Sequence, residues 1–271
     1  HGRAEKGGEE VGRNEKVIEI CSDIIERDKN FIEAYKRLAE TYDRLANREM
    51  ALKYYFDYAM LSEKKNDYSG LACAYLNIAW NYHMQGDYPK AFEFYEKGIA
   101  LCRSRQDKLN EAYGLSRLAV WYMEKQNYEK AMELLIKSSE INKEKANNPE
   151  HRYNLACDYF HLGLLFAAKE DYKAAREFYN RSAAIFSKLK NKSDISDYYC
   201  NIGEIYKLEK EYVKALEYYF KSLKIDTELE RRWDMAVNYN IIGELYLEIG
   251  ELAKADDFFN KALLMRQQIK D

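Results

Sequence analysis

Cys157 and His161 stand four residues apart, a spacing that puts a thiol and an imidazole on one face of a helix and supplies half of a tetrahedral zinc site. Two more ligands are required. Ser116 and Val120, the residues nearest to them in the register described below, cannot serve, so the simpler expectation is a small buried thiol and no metal or other cofactor. Beyond His1 the remaining histidines are His83 and His151, and no phosphate loop, HExxH, GxSxG or kinase signature occurs. Nothing pairs a nucleophile with an oriented base, and a catalytic role is not expected. Cys21, Cys73, Cys102, Cys157 and Cys200 are odd in number, widely spread and never spaced as CxxC, which points to a reducing, cytoplasmic setting. The chain opens on His1 rather than Met, so a targeting segment ahead of it is open.

Whatever these residues do, helices must position them. The chain of 271 residues contains 47% hydrophobic and 33% charged residues, 25 Tyr but only two Thr and five Val, and strands prefer the β-branched residues that are scarce here. The formal net charge of −3 removes the electrostatic footprint of a nucleic-acid binder. No run approaches the roughly 18 apolar residues of a membrane span, and no signal-peptide pattern occurs, so membrane insertion is not expected.

An internal repeat organises the rest. Leu38-Ala39, Ile78-Ala79, Leu118-Ala119, Leu162-Gly163, Ile202-Gly203 and Ile242-Gly243 each set an aliphatic residue before a small one, at spacings of 40, 40, 44, 40 and 40. Four residues before the small residue stand Tyr35, Tyr75, Leu115, Tyr159, Tyr199 and Tyr239; three after it stand Tyr42, Tyr82, Tyr122, Phe166, Tyr206 and Tyr246. These offsets share one helical face. Twelve residues on comes Ala51, Ala91, Ala131, Ala175, Ala215 or Ala255, followed four later by Tyr55, Tyr95, Leu135, Tyr179, Tyr219 or Phe259, the face of a second helix. Turns such as Gly86-Asp87-Tyr88 and Gln126-Asn127-Tyr128 lie between the two. Of the 25 Tyr, 18 fall in these columns and at the turns, where a ring fills an inter-helix gap.

An aromatic, an aliphatic-small pair, an aromatic three later, a Gly-Asp-Tyr type of turn, then Ala and an aromatic four later resemble the tetratricopeptide repeat. The resemblance covers residues 15 to 271. The period exceeds the 34 residues usual for the family by about six, as in the long-repeat subgroup similar to kinesin light chains, GoLoco-binding polarity scaffolds and bacterial regulators. The proline that usually ends the second helix is absent. The resemblance implies an all-α, right-handed superhelical solenoid of antiparallel helix pairs: a half repeat at 15–29, then six repeats at about 30–67, 68–108, 109–148, 149–192, 193–232 and 233–271.

It further implies a concave groove lined by the first helices, in which a peptide or helix of a partner protein lies. The offsets that face such a groove give Leu76, Asn77, Trp80 and Met84 in repeat two; Tyr113, Arg117 and Val120 in repeat three; Phe160, His161 and Leu164 in repeat four; and Asn201 and Asn240 beyond. Leu76, Trp80, Val120, Phe160 and Leu164 would form an apolar floor, since large apolar groups without scaffold duties tend to be contact sites. Asn77 and Asn201 match the asparagine with which long-repeat relatives hold peptide backbone. Arg117 has the same offset and suits bidentate pairing with a carboxylate. The carboxylate clamp of chaperone-tail binders is not expected, because Lys36 is followed by Glu40 where an asparagine is needed.

Residues 1–14 carry Gly2, Gly7, Gly8 and Gly12 with almost no apolar side chains and read as a disordered tail or cloning remnant. The one 44-residue spacing adds four residues near Ala146-Asn147-Asn148-Pro149, expected as a longer loop, with a hinge as the alternative. The chain stops after a second helix without a polar capping helix, which suggests a segment of a longer protein or self-association through uncapped ends. The leading function is a non-enzymatic protein-interaction scaffold. A sensor segment of a larger bacterial signalling protein and a self-assembling scaffold are the alternatives.

Overall fold

The computed structural model describes residues 5–270, with side chains from 14 to 268. Residues 1–4 of the expected tail lie outside that range, and the backbone from Glu5 is already helical. Among the described residues every element is a helix, and the chain divides into two compact units, residues 1–146 and 147–271.

The first unit begins with α1 (Glu5–Arg27), which buries Cys21 and packs Val17, Ile18, Ile24 and Ile25 against Ala34 and Leu38. Three antiparallel pairs follow: α2 (Ile32–Arg44) with α3 (Arg48–Lys64), α4 (Tyr68–Gln85) with α5 (Tyr88–Arg105), and α6 (Lys108–Glu124) with α7 (Tyr128–Glu144). The second unit holds α8 (Pro149–Ala168) with α9 (Tyr172–Lys188), α10 (Lys192–Leu208) with α11 (Tyr212–Glu228), and α12 (Arg232–Ile249) with α13 (Leu252–Lys270). In both units the second helix of one pair also packs on the first helix of the next.

The small-residue columns set the spacing within each pair. A Cβ added to Gly163 would come within 2.5 Å of the Tyr179 ring, and one added to Gly203 within 2.6 Å of Tyr219. The aromatic column three residues after the small position does more than fill gaps. It stacks on a ring of the second helix in pair after pair: Tyr42 on Tyr54 at 5.6 Å, Phe166 on Phe178 at 5.3 Å, Tyr206 on Tyr218 at 5.4 Å and Tyr246 on Phe258 at 5.5 Å. Such a pair adds about 1 kcal/mol to its area burial.

The turns are equally regular. At the turn inside each pair one residue takes a positive φ (Ala46, Gly86, Gln126, Glu170, Lys210, Gly250), and the amide of the next residue donates back to the carbonyl of the stacking aromatic, as Asp87 does to Tyr82 and Asp171 to Phe166. That next residue then caps the second helix. Asn47, Asp87, Asn127 and Asp171 each accept a backbone N–H three residues on. Glu211 stands at the same place and makes no such bond. Glu211→Asp should therefore stabilise the second unit by about 1 kcal/mol, seen as a raised urea midpoint; an unchanged or lowered midpoint would show that its ion pair with Lys214 already supplies the same stabilisation.

The four extra residues resolve differently from the expected loop. Helix α8 has 20 residues against 17 in α10 and starts at Pro149, with Asn148 capping it through bonds from the amides of Glu150 and His151. Most of the insertion thus extends a helix, because Asn-Pro supplies a cap and a first-turn residue with preset φ. At the other end, α13 exposes Leu252, Leu263 and Leu264.

Candidate functional site

The expected groove residues divide between the units. In the first, α4 and α6 bring Asn77, Trp80, Tyr113 and Arg117 together. The Arg117 guanidinium lies 3.9 Å from the Trp80 ring centroid and 5.0 Å from that of Tyr113. The Tyr113 hydroxyl donates to Asn77 Oδ1 at 3.2 Å, while Asn77 Nδ2 donates to the Cys73 carbonyl at 2.9 Å. Asn77 Nδ2 also donates to Cys73 Sγ at 3.5 Å, so both amide hydrogens are engaged within α4. Trp80, Arg117 and Val120 are half-buried and Met84 is exposed.

Leu76 does not belong with them. It has no accessible surface, because Gly98 on α5 and Gly114 on α6 leave a space that its side chain fills; a Cβ on either glycine would come within 2.7 Å of Leu76. The expected floor residue is a core residue.

A second-helix tyrosine packs beside His83 of α4. Tyr95 on α5 is fully buried, and its hydroxyl has no hydrogen-bond partner. Burial pushes its pKa up, with the charges of Arg117, Tyr113 and Glu124 acting on it, so the phenol stays protonated as a donor. Its position in the aromatic column marks a packing ring. Next to it, His83 Nε2 meets Glu124 Oε2 at 2.8 Å.

In the second unit Phe160 and Leu164 are half-buried against Tyr179, with the Phe160 and Tyr179 rings 5.4 Å apart. The Tyr179 hydroxyl donates to Asn201 Oδ1 at 3.5 Å, and Asn201 Nδ2 donates to the Asp197 carbonyl at 2.8 Å, the same bond to the residue four before as at Asn77. Phe160 and His161 line a cavity of about 200 Å³ with Cys157, Phe186, Asp194 and Asp197. Burial is the main cause of the raised pKa values of both aspartates. Asn240 stands apart, donating to Glu244 at 2.6 Å. Among the described residues no cluster of three His, Cys, Asp or Glu is placed to hold a metal ion, and no helix is long and apolar enough to cross a membrane.

Comparison with known proteins places this arrangement. Profiles described as tetratricopeptide repeat match residues 71–104, 110–188 and 194–268. No curated protein sequence matches the chain significantly. Among solved structures, BtubC from P. vanneervenii is 20% identical, with a TM-score of 0.61 over 81% of this chain and 91% of that one. The apo form of RapI is 14% identical, with a TM-score of 0.67 over 93% and 90%. A Rap protein complexed with Competence and Sporulation Factor is 15% identical, with a TM-score of 0.69 over 88% and 76%. At these identities the likeness is one of fold.

Proposed function

Since the chain belongs to the tetratricopeptide repeat family, whose repeats act as protein-interaction scaffolds, we propose that it binds an extended peptide segment of a partner protein along its first helices, without catalysis. The cluster of Asn77, Trp80, Tyr113 and Arg117 carries this reading. The half-buried Arg117 guanidinium, rich in N–H donors, sits beside an indole, which is the chemistry that recognises a peptide and an anchoring side chain. Asn201 beside Phe160 and Tyr179 offers a second set of the same kind in the other unit. A fold neighbour solved with a bound factor supports the same reading.

A library of random 12-residue peptides displayed on phage tests it. Peptides selected on the wild-type chain should bind Trp80→Ala and Phe160→Ala at least about 10-fold more weakly, the scale of losing one anchor. Helical melting should stay close to wild type. Unchanged affinity in both variants would sink the assignment.

A further inference from the structure

We infer that the cavity bounded by α5, α6 and α7 in the first unit is a docking site for an aromatic side chain of a partner protein. It is distinct from the cluster at Trp80 and Arg117 and does not depend on the peptide-binding reading of that cluster.

The cavity has a volume of about 380 Å³, and its lining includes Glu96 on α5, Leu115 and Tyr122 on α6, and Lys130, Leu134 and Lys137 on α7. The equivalent place in other helix pairs explains its origin. With α4 and α5, Phe94 is the centre of a four-ring cluster, in which Phe56 and Tyr75 lie 5.7 Å away and Tyr82 5.9 Å. With α12 and α13 the cluster recurs, Phe258 standing 5.9 Å from Phe220, 6.2 Å from Tyr239 and 5.5 Å from Tyr246. Forty residues on from Phe56, Tyr75, Tyr82 and Phe94 come Glu96, Leu115, Tyr122 and Leu134, and all four line the cavity. Three of the four rings are gone, and the cavity is the space they leave. Tyr122 keeps an edge contact with Trp121 at 4.9 Å, but among the described residues no second-helix ring stacks on it.

The cations that attend the cluster have nevertheless been kept. Lys90 lies 5.0 Å from the Tyr82 centroid and Lys97 5.1 Å from that of Phe94; Lys254 lies 5.4 Å from Tyr246 and Lys261 4.7 Å from Phe258. Lys130 and Lys137 hold the same two places in α7. Both pair with Glu133, at 2.9 and 2.6 Å, in exposed contacts that bind a lysine only weakly. Leu115 and Leu134 thus supply an apolar floor, Tyr122 a ring to stack on, and the two ammonium groups a match for the negative face of a π system. An aliphatic group would gain only the first of these. Charge complementarity therefore selects a ring, and a partner's Phe, Tyr or Trp restores contacts that the other pairs make internally.

Random 12-residue peptides displayed on phage, first depleted on Leu134→Phe and then selected on the wild-type chain, test the site. Leu134→Phe returns the ring found at Phe94 and Phe178, so its urea midpoint should equal or exceed the wild-type value. Should that variant fail to fold, Glu96→Phe closes the cavity from an exposed position and takes its place. The selected peptides should share a Phe, Tyr or Trp and bind the wild type at least about 10-fold more tightly than the filled variant. Exchanging that ring for Leu should weaken binding about fivefold, and Lys137→Gln should weaken it about threefold. Trp80→Ala should leave it unchanged, which separates this site from the first-helix cluster. Peptides that bind the filled variant equally well, or that tolerate Leu in place of the ring, would overturn the proposal. So would a cavity that shifts its Leu115 and Leu134 methyl resonances with free p-cresol yet enriches no peptide, since its occupant would then be a small planar molecule.

Discussion

Leu76→Ala is expected to destabilise the first unit by about 3–5 kcal/mol, the range for emptying a fully buried leucine site that cannot collapse. The reason for the upper part of that range is local. Gly98 and Gly114 contribute no side chain to the space, so neither facing position offers a group that can move in to close the hole. The same geometry predicts a coupling. Gly98→Ala alone places a Cβ 2.7 Å from Leu76 and should cost about 1–3 kcal/mol by overpacking, whereas in the Leu76→Ala background the added methyl enters the cavity. The double variant should thus be more stable than the sum of the two single losses, by about 1 kcal/mol or more in a double-mutant cycle. Hydrogen exchange should place the loss in residues 1–146, not in the second unit. A Leu76→Ala chain with wild-type stability and impaired peptide binding would instead return Leu76 to the groove.

That reversal shows which parts of the molecule were legible in the sequence. The helix pairs were, because the physical demand repeats every 40 residues: a small residue where two helices touch, an aromatic one turn on, an Asn or Asp that caps the next helix. Each demand is local or involves the adjacent helix, and repetition makes the pattern visible. Leu76 was not, because its burial depends on two glycines in other helices that break the pattern once each. The stacked column of Tyr54, Phe94, Phe178, Tyr218 and Phe258 is not legible in the sequence for a different reason. Its rings are partly buried and vary between Tyr and Phe, and only contact with the first-helix rings separates them from surface aromatics. The four-residue insertion could be located, but the expected loop is mostly helix, since Asn-Asn-Pro suits both a loop and a capped helix start. For the site, Asn77, Trp80, Arg117 and Phe160 followed from the register. That the Tyr95 hydroxyl is buried without a partner did not, because its offset marks only a packing ring.

In the second unit one arginine holds three acids, and its removal should cost about as much as the loss of Leu76. Arg231 contacts Asp226 at 3.1 Å, Asp197 at 3.3 Å and Asp234 at 2.8 Å, tying α10, α11 and α12 together. Asp226 decides the magnitude: its side chain is 2% exposed, and apart from Arg231 it is held by Asn238 at 2.7 Å. Arg231→Gln leaves that carboxylate buried without a cation, a loss of about 3–5 kcal/mol near pH 7. Asp197 and Asp234 are more exposed and contribute less, because solvent screens them. The loss should depend on pH with a defined sign. Burial raises the pKa of Asp197 and of Asp226 above the usual aspartate value even with the arginine present, so the folded state binds protons at a pH where the unfolded chain has released them. Their contribution to stability is therefore favourable at low pH and declines as pH rises through the folded pKa. Without Arg231 those folded values rise further, the declining window widens towards neutrality, and the gap between variant and wild type should be smaller near pH 5 than near pH 7. Urea unfolding of both chains at the two pH values measures this gap; a gap that is equal at both, or below about 1 kcal/mol, would mean that Asp226 is neutralised by something other than Arg231.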